Sequence, residues 1–172
     1  MKYNKIEKIL QNNNCSLFTL NSTSSTMDEA KKNINNLNSN SNFIIIANEQ
    51  THGKGRRGNE WISPPGNIYL SIVLKNDFPI KQHYIFSILT LLSIKKTISE
   101  FGSQEIFFKW PNDIFHNNKK FGGLILENVS YNNKNNFIII GLGINVSSSP
   151  QVKGYETTFI KKFIDIDNKI IL

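Results

Sequence analysis

Apolar positions along this chain change their spacing several times, and each change marks an element. Ile6, Ile9 and Leu10 fall on one side of a short helix predicted over residues 3–11. A strand is predicted over 17–20. Ser25-Thr26-Met27-Asp28 then has the form of a capping box, a hydroxyl at the N-cap with an acid three residues on. A helix is expected from there to about residue 37. The run at 43–48 (FIIIAN) reads as a strand, and so does the apolar stretch at 68–74. Between 82 and 101, Ile85, Ile88, Leu89, Leu92 and Ile98 keep a helical period, with Gly102 as the stop.

The remainder turns β. Residues 106–109 lead into Trp110-Pro111-Asn112-Asp113, and 113–115 is expected to pair with 120–127 across an Asn117-Asn118 turn. A second turn over 132–136 leads to a strand at 137–140 and then Gly141-Leu142-Gly143-Ile144-Asn145-Val146. Residues 147–150 look like loop, and 159–164 reads as a short element. Strands in series with few helices between them argue for an α+β domain, not a doubly wound sheet. There is no internal repeat and no evident linker. A chain of 172 residues is expected to be one domain, long enough to bury a real core.

Composition changes this picture little. The hydrophobic fraction, 39%, is slightly low, largely because asparagine clusters at 12–14, 33–42 and 132–136. Apolar segments interrupt those clusters, so they read as biased loops rather than a prion-like domain. A net charge of +7 suggests an anionic partner, but charge alone speaks to solubility and steering. The pairs Lys31-Lys32, Lys95-Lys96 and Lys161-Lys162 read as solvated faces. Cys15 is the only cysteine, which excludes an intrachain disulfide and a cysteine-based metal site. His52, His83 and His116 are scattered without ligand spacing, so no metal site is expected on protein ligands. No apolar run approaches the roughly 18 residues of a membrane helix, and the charged N-terminus lacks a signal peptide's core. A cytoplasmic protein without membrane attachment is expected.

The chemistry concentrates in Gly53-Lys54-Gly55-Arg56-Arg57-Gly58, followed three residues later by Trp61. Glycines let the backbone approach a ligand, closely spaced N–H groups and guanidinium forks suit a phosphate, and an indole can stack on a base. The hexamer also fits the dinucleotide fingerprint G-x-G-x-x-G. That fingerprint requires a helix to open from the loop. Here Pro64 and Pro65 follow, then a β-like run, so no helix N-terminus is there to hold a pyrophosphate. A Walker A loop fails as well, because no Gly-Lys-Ser/Thr closes the sequence. A solvated basic turn remains the bland reading, and it leaves the glycine spacing unexplained.

Four features now stand in order: Ser25-Thr26 at a helix start; Gln50 with GKGRRG and Trp61; KWPND at 109–113 with KKFGG at 119–123; and GLGIN at 141–145. Singly, most read as structure: an N-cap, a packed corner, an exposed hairpin, strand bulges, a core tryptophan. Jointly and in this order they resemble the catalytic domain of biotin protein ligases, over about residues 16–146. The resemblance implies a class II aminoacyl-tRNA synthetase-like domain, a mixed, largely antiparallel sheet with helices packed on it. It implies activation of biotin by ATP with Mg²⁺ to biotinyl-5′-AMP, then transfer to a lysine of a biotin carboxyl carrier domain of acetyl-CoA or propionyl-CoA carboxylase.

The residue roles below are those the resemblance implies. Ser25, Thr26 and Gln50 bind the biotin ring, with the backbone of Gly53 and Lys54. Arg56 neutralises the adenylate phosphate and Arg57 helps position the loop. Trp61 lies against adenine. Lys120 reaches between the biotin carboxylate and the α-phosphate, and Gly123 lets the backbone approach biotin. Asn145 lies at the nucleotide end, Asn112 gives polar support near the adenylate, and Asp113 is a candidate base for the acceptor lysine. Lys120 and Arg56 are the candidate catalytic residues, because carboxylate and phosphate repel as they approach. Lys54 stands where the family more often has arginine. No helix-turn-helix precedes the motifs and no β-barrel domain follows GLGIN, so DNA binding is not expected, while a homodimer is compatible. Alternatives are a lipoate or octanoate ligase or transferase of the same fold, a truncated biotin-binding remnant, and a non-catalytic nucleic-acid binder whose affinity collapses with salt.

Overall fold

The computed structural model describes residues 4–36, 42–75, 79, 82–102, 105–131 and 135–165. Its strands are β1 (Cys15–Thr23), β2 (Asn42–Gln50), β3 (Ile68–Lys75), β4 (Ile106–Lys109), β5 (Asp113–His116), β6 (Lys119–Tyr131) and β7 (Asn135–Ile144). Its α-helices are α1 (Asn4–Asn12), α2 (Thr26–Asn36) and α3 (Tyr84–Ser99). The strands form one sheet in the order β1-β2-β3-β7-β6-β5-β4. β1 and β2 run parallel, with α2 as the crossover such a pair requires. The other neighbours are antiparallel. The expected α+β architecture with a mixed, largely antiparallel sheet is therefore observed.

Helices cover both faces. On one, Met27, Ala30 and Ile34 of α2 pack on Phe43, Ile45, Val73 and Ile139. On the other, Leu91, Ile94 and Ile98 of α3 pack with Ile106, Ile114, Phe121 and Leu124. β7 lies between neighbours and under both layers, so Ile138, Ile139 and Ile140 are all buried. This is why its sequence is an unbroken apolar run. Burying each such side chain contributes about 1.5–3 kcal/mol before entropy is counted.

The helix predicted over 82–101 forms as α3, but of the apolar residues that carry its period only Ile98 is buried. Ile85, Ile88, Leu89 and Leu92 are exposed, and the buried residues are Ser87, Leu91, Ile94 and Ile98. The helix is apolar on more than one side, and a 3.6-residue period does not say which stripe meets the sheet. The Asn117-Asn118 turn forms as expected, with both residues left-handed (φ 46° and 59°), the backbone of a tight hairpin. Tyr3, residue 37 and residues 132–134 of the second turn lie outside the described residues. Among the described residues, no helix is long and apolar enough to cross a membrane.

Past β7 the chain returns to the sheet. The Lys120 N–H donates to the Glu156 carbonyl and the Thr158 N–H donates to the Lys120 carbonyl, both at 2.9 Å. The motif-bearing stretch of 16–146 is thus joined by a segment beyond it.

Candidate functional site

Where the N-terminus of α2 stops short, the face of the sheet beneath it becomes glycine: Gly141 and Gly143 on β7, with Gly123 paired to Gly143 across β6. The loop after β2 folds over this shallow floor. It closes on itself through Trp61 N–H to Gly53 O at 2.8 Å and Gly55 N–H to Asn59 O at 2.6 Å. A Cβ on Gly53 would sit 2.2 Å from the Trp61 carbonyl, so the closure itself demands glycine there. Arg57 is exposed and left-handed (φ 57°, ψ 33°), which fixes the turn of the basic run. Tyr69 anchors the loop's far end: its hydroxyl donates to Pro64 O at 2.7 Å. Burial pushes that phenol up to about 12, against a smaller opposing effect from Asn67.

Two side chains tie the loop across the cleft. Lys54 pairs with Asp28 of α2, and Arg56 donates to Asn112 Oδ1 at 2.7 Å. Asn112 in turn donates to Asp113 Oδ1 at 2.8 Å, and Lys120 Nζ lies 2.8 Å from that same oxygen. A polar chain, Arg56–Asn112–Asp113–Lys120, therefore runs from the glycine loop to β6. Lys120 also lies 5.3 Å from the ring centroids of both Trp61 and Tyr155, a cation held between aromatic faces. Its side chain is 14% exposed.

A register shift puts Lys120 where it is. Residues three apart on a regular strand face opposite ways, yet Lys120 and Gly123 both face the cleft. β6 pairs Gly122 with Ile114 and then Lys120 with Phe115, so Phe121 is an extra residue that turns the strand. Phe121 itself is wholly buried on the other face.

Ser25, Thr26 and Gln50 meet as expected, though not as a capping box. The Ser25 carbonyl accepts from the Asp28 and Glu29 N–H groups at 3.1 Å, but its hydroxyl, fully buried, has no hydrogen-bond partner. The Asp28 carboxylate is drawn to Lys54 instead of back to the cap. Gln50 Oε1 accepts from the Thr26 N–H at 2.9 Å and its hydroxyl at 3.2 Å, and Gln50 Nε2 donates to Ser63 Oγ at 2.9 Å. Ser71 completes the network by donating to Thr26 Oγ1 at 2.8 Å. Asn145 is buried with its Nδ2 on Thr158 O and its Oδ1 unpaired, and the Trp61 indole N–H is buried and unpaired too. A buried polar atom left unpaired costs about 1–3 kcal/mol. Three of them lie around one cleft.

Trp61 divides the cleft. A cavity of about 50 Å³ touches Ser25, Thr26, Gln50, Lys54, Arg56 and Gly123. A second, of about 100 Å³, touches Asn145, Tyr155 and Thr157. Trp61 and Lys120 line both. The indole rests on the glycine floor, and a Cβ on Gly143 would lie 2.5 Å from its Nε1. At Gly123 an added Cβ would make only ordinary contacts at 3.5 Å, so the fold alone does not require that glycine. Pockets for small molecules usually measure about 300–1,000 Å³. The loop must therefore shift for one to enter.

Sequence reasoning missed Asp28, Ser63, Ser71 and Tyr155. Asp28 was read as a capping acid, and the serines and tyrosine carry no pattern of their own. Among the described residues, no group of three or more His, Cys, Asp or Glu could hold a metal ion.

Comparison with known proteins gives the geometry its context. Residues 19–145 match the model of the biotin/lipoate A/B protein ligase family. A bifunctional ligase/repressor BirA of Bacillus subtilis is 34% identical over 128 residues, covering 74% of this chain and 39% of the relative. Among solved structures, biotin protein ligase from Leishmania major in complex with biotinyl-5-AMP superposes with TM-score 0.74 at 28% identity, over 85% of this chain and 63% of that one. Biotin protein ligase from Aquifex aeolicus in complex with biotin and ATP gives 0.66 at 26%, over 88% and 62%. The chain thus spans about two fifths of the bacterial relative and about three fifths of each structure. With a floor of glycines, a tethered basic loop and a lysine turned in by a bulge, it belongs to the biotin/lipoate A/B protein ligase family.

Proposed function

We propose that this chain activates biotin with ATP and attaches it to a lysine of a carboxylase carrier domain. The observation that carries this reading is the Arg56–Asn112–Asp113–Lys120 chain, which spans a cleft lined by an unpaired Ser25 hydroxyl. The relatives named for biotin and its adenylate add support. In the first step a biotin carboxylate oxygen bonds to the α-phosphorus and pyrophosphate leaves. Two anions must approach, and Lys120 with Arg56 offsets their repulsion in a partly desolvated place. Mg²⁺ would arrive on the ATP phosphates as part of the substrate. The Ser25 hydroxyl, with Thr26, Gln50 and the backbone of Gly53 and Lys54, would hold the polar ring. Trp61 and Asn145 face the second cavity, the place for the nucleotide. Arg57 would hold the loop's turn and Gly123 would leave room beside Lys120.

In the second step the acceptor's neutral amine attacks the carboxyl carbon, the bond to phosphate breaks, and AMP leaves. Asp113, which pairs with Lys120, would take the amine's proton.

The test is incubation with labelled biotin, ATP, Mg²⁺ and the carrier domain of acetyl-CoA or propionyl-CoA carboxylase, scoring adenylate and labelled carrier separately. Lys120→Ala is expected to slow adenylate formation more than tenfold, about 1.4 kcal/mol or more in the barrier, and Arg56→Ala to release adenylate faster. Near-normal adenylate synthesis by the Lys120 variant would reject its role. Lipoate displacing biotin in competition would point instead to the family's other branch.

A further inference from the structure

One backbone group fixes the direction of the hydrogen-bond chain under the first cavity. The Thr26 N–H, at the start of α2, can only donate, and it lies 2.9 Å from a Gln50 amide atom, which is therefore the oxygen. An amide oxygen can only accept, so the Thr26 hydroxyl, 3.2 Å from that atom, gives its proton there. With that proton spent, the Ser71 hydroxyl is the donor in its 2.8 Å bond to Thr26 Oγ1. At the other end of the amide Nε2 can only donate, so Ser63 Oγ accepts at 2.9 Å and passes its own proton to the Trp61 carbonyl at 2.7 Å. Donation thus runs one way, from Ser71 on β3 through Thr26, Gln50 and Ser63 to the loop.

The consequence falls on Thr26, which lines that cavity while Ser71 is wholly buried below it. The Thr26 oxygen has given its proton to Gln50 and taken one from Ser71, so a single lone pair is left. Toward a ligand it accepts and does not donate. A ring that presents an N–H can meet it, and a ring or chain without one cannot. Biotin's ring carries an N–H on each side of its carbonyl, whereas the dithiolane of lipoate and the tail of octanoate carry none. For the fold alone the serine is a cost. Tyr69 and Val73 flank it on the same buried face of β3, where an apolar side chain would desolvate no hydroxyl.

We propose that Ser71 is a specificity-determining positioning residue. It donates to Thr26 Oγ1 from below, presents that oxygen to the substrate as a pure acceptor, and so selects a ring that bears an N–H. The inference deepens the ligase reading above and rests on it for the identity of the ring. Without the Ser71 hydroxyl, Thr26 Oγ1 loses the partner that holds it against β3, and its remaining lone pair is no longer aimed. Lys120 and Arg56, assigned to the reacting groups, stand outside this chain of bonds, so the chemical step is left as it is.

The experiment measures biotin affinity by calorimetry and adenylate synthesis by pyrophosphate release. It compares wild type, Ser71→Ala, Ser71→Cys, Thr26→Val and the combined Ser71→Ala/Thr26→Val variant. Cysteine fills nearly the same space as serine but offers only a weak donor. Both Ser71 variants are expected to bind biotin about fivefold more weakly, with KM for biotin raised in step and KM for ATP and kcat kept. The inhibition constant of lipoate stays at its wild-type value. Thr26→Val loses about tenfold in biotin affinity. Adding Ser71→Ala to it loses nothing more, because Ser71 acts through the hydroxyl already removed. Wild-type affinity in Ser71→Cys would reduce the serine to packing and overturn the proposal. So would additive losses in the combined variant, a lowered kcat, or lipoate weakened along with biotin. A wild type that binds no biotin ends the ligase reading and this inference with it, whereas Ser71 variants that match a biotin-binding wild type sink this inference alone.

Discussion

The Ser25 hydroxyl is buried beside Thr26 and Gln50 with nothing to bond, so it burdens the fold without a ligand. Ser25→Ala removes that burden. Thermal unfolding should show a midpoint unchanged or slightly raised, while biotin affinity falls about tenfold, the worth of one hydrogen bond to a polar ligand group. A lowered midpoint with normal affinity would return Ser25 to an ordinary structural role. Tyr69 makes a different case. Its phenol is neutral in the fold and raised to about 12, so the stability it contributes is complete below the unfolded value near 10. That contribution is lost as pH rises through 12. Denaturant titrations of wild type and Tyr69→Phe should therefore diverge in slope between pH 10 and 12, with the variant flatter.

At the scale of elements, α3 separates apolar from buried. Leu91 is 4% exposed and Leu89 55%, though both are leucines on one helix. Leu91→Ala should cost about 2–5 kcal/mol as a cavity, and Leu89→Ala less than about 0.5 kcal/mol. Equal costs in urea unfolding would mean that the far stripe of α3 is also covered. The glycine floor gives the second element-scale test. Gly143→Ala brings a methyl against the Trp61 indole, and the indole, not β7, is free to yield. The loop should lift, with Trp61 fluorescence shifting to the red and adenylate retention falling, while far-ultraviolet dichroism stays as in wild type. A fluorescence spectrum like that of wild type would mean that the ring does not rest on that floor.

At the scale of the molecule, the basic run at 54–57 is tied across the cleft, among the described residues, by one ion pair to α2 and one hydrogen bond to the KWPND corner, both partly exposed. Such contacts are worth little in water, on the order of 0–1 kcal/mol each. The cleft is therefore held closed lightly, and a ligand can displace its ties. On the proposed function, biotin and ATP together should stabilise the chain far more than either alone, because their product would bridge both cavities and the loop. At one hundred times its dissociation constant the adenylate adds about 2.7 kcal/mol. Scanning calorimetry with each ligand singly and with both decides this, and additive shifts would contradict a bridging product.

What the sequence by itself determined is the local and the chemical. The strand runs, the Asn117-Asn118 hairpin and the basic glycine loop follow from residue types, because alternation, left-handed turns and clustered charge are written in a few neighbouring side chains. Tertiary structure decided the rest. Which stripe of α3 is buried, where Asp28 sends its carboxylate, and how a bulge at Phe121 brings Lys120 and Gly123 to one face all depend on partners far away in the chain. So does the clamp of 156–158 on Lys120. Those outcomes are set by competition between contacts that form only when distant strands have already paired, and no local pattern records who wins.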